Sequence, residues 1–76
     1  MASSPISVPS PVAGTVLRIE VSAGQAVQAG DLLATIESMK MEIPVEAEQA
    51  GTIVDIAVQA SARVDEDQAL FRLQPA

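Results

Sequence analysis

Residues Ala13 to Ile36 align without a gap on Ala50 to Leu73 at an offset of 37 positions, and this internal repeat constrains the fold more than any other feature. Ala13-Gly14-Thr15-Val16 pairs with Ala50-Gly51-Thr52-Ile53. The match continues through Ile19 and Ile56, Val21 and Val58, Ala23 and Ala60, Val27 and Val64, and Leu33 and Leu70. A solenoid needs about three or more stacked units to bury a continuous core, so two copies point instead to a fold with approximate two-fold symmetry.

Within each copy, apolar and polar residues roughly alternate. Thr15-Val16-Leu17-Arg18-Ile19-Glu20-Val21 and Thr52-Ile53-Val54-Asp55-Ile56-Ala57-Val58 both read as half-buried strands. Further strands are expected over Leu32 to Glu37, Ala69 to Leu73, Met41 to Glu46 and Ile6 to Val8. Gly24 and Gly30 punctuate the first copy, and Ser61 and Asp67 stand in their places in the second. Turns are expected there, and Asp tolerates left-handed backbone better than most residues. No helical periodicity of useful length is present. The expected fold is all-β, a compact barrel or sandwich of short antiparallel strands. The Ser- and Pro-rich start suggests a tail or linker over residues 1–7, followed by one domain over residues 8–74.

A chain of 76 residues has room for one modest core and no separate substrate domain. Hydrophobic residues make up 49% of it, supplied by Val, Ile, Leu and Ala with Phe71 as the sole aromatic, so the core must pack from β-branched and aliphatic side chains. The absence of Cys and His excludes disulfides, thiolate and imidazole catalysis and the usual zinc ligands. The formal charge of −6 argues against nucleic acid and anionic membrane as partners. No apolar run approaches the roughly 20 residues of a membrane span, and the first ten residues lack the regions of a signal peptide. A soluble, cytoplasmic protein is expected.

Chemistry concentrates at one place. Lys40 is the single lysine, and it lies in Glu37-Ser38-Met39-Lys40-Met41-Glu42-Ile43-Pro44-Val45 between two expected strands. Surface lysines are ordinary, and flanking methionines could fold back onto a sheet. A tight turn, however, seldom favours apolar residues on both sides of a charge, and flexible thioethers suit a surface that partners must grip. Glu37, Glu42, Glu46 and Glu48 give the segment an acidic surround, which serves equally as a solvated face or a recognition feature. The repeat adds a spatial expectation. Lys40 shifted back by the offset falls on Ser3, so the chain termini and Lys40 are expected at opposite ends of the domain.

Glu37-Ser38-Met39-Lys40-Met41-Glu42 resembles the attachment motif of the biotinyl domain family, whose hallmark is Met-Lys-Met with the lysine at a hairpin tip. The similarity runs from about Val8 to Leu73 and includes the Ala-Gly-Thr strand starts and the two-fold repeat. It implies a flattened barrel of two four-stranded antiparallel sheets, with Lys40 as the covalent biotin acceptor. Met39 and Met41 would be recognised by a biotin ligase, and Glu37 matches an acidic position that helps the ligase choose its target. In the family the ligase forms biotinyl adenylate from ATP, and the carrier lysine attacks it; an unperturbed lysine is protonated at neutral pH and needs such an activated partner. The holo-domain would then carry a carboxyl group between biotin carboxylase and carboxyltransferase sites of a biotin-dependent carboxylase or decarboxylase. It would itself be a carrier, not an enzyme. The chain departs from the family in having Ser38 where many members have Ala, in lacking a thumb insertion between Val21 and Leu32, and in lacking paired glycines in the second copy.

Three other readings compete. A lipoyl carrier shares the fold and the lysine turn, but its usual flanks are Asp before the lysine and Ala after it. A Schiff-base enzyme would need a desolvated amine, the opposite of a hairpin tip among carboxylates. A plain β interaction module would tolerate Lys40→Arg. Asp65-Glu66-Asp67 lacks the spacing of a calcium loop and reads as a solvated turn. Gly14, Gly24, Gly30 and Gly51 form no phosphate-binding pattern.

Overall fold

A computed structural model describes residues 4–76. The alternating segments form eight strands: β1 (Ile6–Pro9), β2 (Gly14–Ile19), β3 (Ala26–Val27), β4 (Leu32–Ser38), β5 (Met41–Glu46), β6 (Gly51–Ile56), β7 (Arg63–Val64) and β8 (Ala69–Pro75). They build two four-stranded sheets, in the orders β1-β8-β6-β3 and β5-β4-β2-β7, and every pairing is antiparallel. The expected sandwich is therefore present. The sheets close on a single core that includes Val16, Leu33, Ile36, Ile53, Leu70, Phe71 and Leu73, each at most 1% exposed.

The repeat appears as structure. Under the 37-residue offset β2, β3 and β4 correspond to β6, β7 and β8, and the second half of β5 corresponds to β1, so each sheet maps onto the other. Hydrogen bonds outside the sheets follow the same rule. The Gly24 amide donates to the Ile53 carbonyl at 2.6 Å, and Ser61 donates to Val16 at 2.7 Å. Gly30 donates to Ala47 at 2.7 Å, and Asp67 to Ser10 at 2.8 Å. The four turn residues adopt left-handed backbone, with φ of 91° at Gly24, 90° at Gly30, 76° at Ser61 and 67° at Asp67.

The two copies do not fold side by side. β3 comes from the first copy but pairs with β6, and β7 comes from the second but pairs with β2. Each short strand thus completes the sheet of the other copy, which locks the halves together.

Two structural features depart from the alternating pattern. Register shifts fall between Val16 and Arg18 on β2 and at the equivalent place between Ile53 and Asp55 on β6. A second equivalent pair involves Leu33 on β4 and Leu70 on β8. A β-bulge adds one residue to a strand and re-aims its neighbours. That is how Leu33 and Ala34, and likewise Leu70 and Phe71, are both buried although adjacent in sequence. Strict alternation would have sent one of each pair to solvent.

The tail expected over residues 1–7 is shorter within the described residues. Ile6 and Ser7 pair with Leu73 and Arg72, because the edge of β8 offers its backbone groups to them. Ser3, the symmetry counterpart of Lys40, lies outside the described residues. The neighbouring positions are described: Ile6 pairs with Leu73 as Ile43 pairs with Ile36, and β8 ends at Pro75 where the offset places Ser38, the end of β4. The ends of the described chain therefore sit where the first copy has its Lys40 hairpin, in a molecule with extents of 42 × 18 × 17 Å.

Candidate functional site: the Lys40 hairpin

β4 and β5 are joined by a turn of two residues, Met39 and Lys40, with Ser38 paired to Met41 at its base. Both turn residues have positive φ, 53° and 66°. Two consecutive left-handed residues mark the type I′ turn, whose twist suits a two-residue hairpin but which is ordinarily built from Asn and Gly. Here Met and Lys occupy it, and left-handed backbone is costly for residues with a Cβ. The turn is therefore locally strained. What holds it is the run of six paired positions along β4 and β5 behind it.

The turn projects its side chains. Met39 is 92% exposed and Met41 62%, so neither thioether folds back onto the sheet. Lys40 is exposed between them. Among the described residues its ammonium has no carboxylate within ion-pairing distance, and the ion pairs that do form belong to Arg18. Glu37 and Glu42 face each other across β4 and β5, one step below the turn. Like charges in that relation repel. Arg18 on β2 reaches over to Glu42, with Nη2 to Oε1 at 3.5 Å, and its Nε donates to Glu20 Oε2 at 3.3 Å.

All four residues singled out in the sequence, Glu37, Met39, Lys40 and Met41, are thus brought together on one exposed hairpin. Arg18 was missed. Its position on the polar side of an alternating strand was legible, but its reach to Glu42 depends on β2 lying beside β4. Gly14, in the Ala-Gly-Thr strand start, packs against the Glu37 carbonyl so closely that a Cβ would overlap that oxygen.

Among the described residues, two open depressions lie away from the hairpin. An open depression of about 320 Å³ lies between the edge strands β1 and β5, lined by Val8 to Pro11, Pro44 to Glu48 and Asp67. Another, of about 380 Å³, lies beside the turn at Ser61. Met39, Lys40 and Met41 line neither. An exposed, unpaired amine on a thin projection suits insertion into a partner's pocket and covalent attachment of a carried group. It does not suit chemistry on a substrate enclosed by this chain.

A family model described as "biotin-requiring enzyme" matches residues 6–73. The chain belongs to this family. Among its relatives, the biotin carboxyl carrier protein of acetyl-CoA carboxylase from Pseudomonas aeruginosa is 41% identical over 71 residues, which cover 84% of this chain and 46% of that protein. The biotin-dependent acyl-coenzyme A carboxylase alpha3 subunit of Mycobacterium leprae is 38% identical over 73 residues, covering 96% of this chain and 12% of that one. The chain thus spans less than half of the length of either. It does span 85% of the biotin/lipoyl attachment protein of Bacillus subtilis, at 34% identity over 62 residues. Among solved structures, a single-chain, multi-domain long-chain acyl-CoA carboxylase contains the same fold, with a TM-score of 0.92 at 24% identity over 100% of this chain and 8% of that one. A putative efflux transporter from Bacteroides eggerthii shares the fold as well, at a TM-score of 0.88 and 15% identity. The same fold thus occurs in a structure described as an efflux transporter, so function has to be argued from the hairpin.

Proposed function

We propose that this chain is a biotin carboxyl carrier domain in which Lys40 receives biotin through an amide bond. The observation that carries the reading is the Lys40 turn: a single lysine, exposed and unpaired among the described residues, between two methionines held out in solvent. The relatives named as biotin carboxyl carrier proteins support a carrier of biotin and not of lipoate. The Met39 and Met41 flanks agree, since a lipoyl turn has Asp and Ala there.

The residues fit the group. Attachment needs one reachable amine and a backbone that presents it, and the hairpin offers both. Biotin, once attached, supplies the ureido nitrogen that takes up and gives up a carboxyl group. The chain's own residues present and position. Positive φ at Met39 and Lys40 turns the chain tightly, so that the amine stands clear of the sheet. Met39 and Met41 offer apolar, adaptable side chains to a biotin ligase, and Glu37 offers it a charge. The domain performs no bond-making of its own. Its tether raises the effective concentration of the carried group at each site served.

The partners in this proposal are a biotin ligase and the biotin carboxylase and carboxyltransferase parts of a biotin-dependent carboxylase or decarboxylase. The charge of −6 favours protein surfaces over nucleic acid or anionic membrane as partners. A cytoplasmic location belongs to the same proposal, since the ligation consumes ATP.

The test is intact mass after incubation with a biotin ligase, biotin and ATP, for the wild type and Lys40→Arg. One biotinyl increment on the wild type and none on the variant is expected. A wild type that stays unmodified by a competent biotin ligase but gains a lipoyl increment from a lipoyl ligase would overturn the biotin assignment.

A further inference from the structure

We propose that Arg18 is a positioning residue for acylation of Lys40, engaging Glu42 so that this carboxylate does not pair with the amine. This rests on Lys40 being the acceptor, and it deepens that reading. Glu42 lies two residues beyond Lys40, and Glu37 three before it, so the turn has carboxylates on both strands at its base. Yet among the described residues neither pairs with Lys40.

The arrangement of Arg18 accounts for Glu42. Its strand neighbours β4, which neighbours β5, so the guanidinium spans the outer face of three strands to reach the Glu42 carboxylate at 3.5 Å. The second contact, to Glu20 at 3.3 Å, anchors the guanidinium from its own side. Thr35 is paired with Arg18 on β2 and with Pro44 on β5, and it is only 5% exposed, the one buried polar residue of this strand. An arginine lying across the sheet at this level provides such cover with its stem. Glu37, which makes no ion pair among the described residues, is then the carboxylate left free beside the turn.

The chemical consequence follows from what acylation requires. The nucleophile is the unprotonated amine. Its lone pair forms the bond to the acyl carbon, the leaving group departs with its electron pair, and the surplus amine proton passes to solvent. A carboxylate paired with the ammonium favours the protonated form and opposes this step. Arg18 competes for Glu42 with a charge that is present at all ordinary pH and with a planar fork of donors.

The experiment uses the lysine's uniqueness and needs no ligase. The rate of Lys40 acylation by the N-hydroxysuccinimide ester of biotin is measured at one pH by peptide mapping, relative to Nα-acetyl-lysine amide in the same reaction. Wild type, Arg18→Gln and the double variant Arg18→Gln/Glu42→Gln are compared. Arg18→Gln is expected to slow Lys40 up to about fivefold, the scale of an exposed ion pair, and Glu42→Gln is expected to restore the rate in the double variant. A loss of structure in Arg18→Gln would not be repaired by neutralising Glu42, so the double variant separates positioning from folding. An unchanged or faster rate in Arg18→Gln, or a double variant as slow as the single one, overturns the proposal. Because the probe is chemical, either outcome stands apart from whether a biotin ligase accepts the chain.

Discussion

Gly14 lies directly against the backbone carbonyl of Glu37, with no room between them for a Cβ. Its repeat partner Gly51 stands in the same relation to the carbonyl of Gln74. These contacts are where β2 meets β4 and where β6 meets β8, so the two conserved strand starts of the repeat mark two close backbone approaches. A methyl group at either place must push backbone aside. Gly14→Ala and Gly51→Ala are expected to destabilise the domain by about 1–3 kcal/mol each, the usual range for overpacking, as read by thermal or urea unfolding. Equal stability to wild type in both would show that the strands can separate at no cost.

Met39 occupies left-handed backbone at 92% exposure, so its conformational cost is not offset by burial. Asn accepts that backbone more readily. Met39→Asn is expected to raise stability by about 0.5–1 kcal/mol while weakening modification by a biotin ligase, measured as unfolding free energy and as ligase KM for the domain. A variant that was less stable would mean that the methionine side chain packs where the structure places it in solvent.

Lys40→Arg tests attachment without disturbing the fold. Both side chains are long cations, and the position is exposed, so stability should stay within about 0.5 kcal/mol of wild type. Biotin incorporation by the ligase should disappear. A biotinyl group found on the variant would place the acceptor elsewhere, at the α-amine of the chain.

Phe71 is the single aromatic residue and is fully buried beside Leu70 at a bulge of β8. Phe71→Ala is expected to cost about 3–5 kcal/mol in urea unfolding, a large part of the stability of so small a domain. Val54→Thr, at a bulge position 46% exposed on β6, should shift it by no more than about 0.5 kcal/mol. Comparable losses in the two would mean that the core is not where the structure places it.

Much of this was legible before the structure. The repeat announced the two-fold symmetry because both copies solve the same local problem with the same residues, Ala-Gly-Thr at the strand start and Val or Ile on the buried side. The strands from Met41 and from Ile6 were expected as well. The site was legible as well, since Lys40 is unique and its methionine flanks make little sense as core. Other features were hidden. The bulges at Leu33-Ala34 and Leu70-Phe71 were hidden, because nothing local announces a bulge that a partner strand imposes. Arg18 read as an ordinary charge on a polar face, because its partner Glu42 is 24 residues away.

Sequence by itself determined the period-two strands, the internal symmetry, a connection between strands at Lys40 and the identity of the one acylable side-chain amine. These are local properties, set by side-chain alternation, residue type and spacing along the chain. Tertiary structure alone decided that β3 and β7 cross into the opposite copy's sheet, that the bulges at Leu33 and Leu70 turn adjacent residues into the core, and that Arg18 rather than Lys40 engages Glu42. Each of those depends on which strands become neighbours. That choice is made by burying the whole apolar surface at once, and no single stretch of the chain contains it.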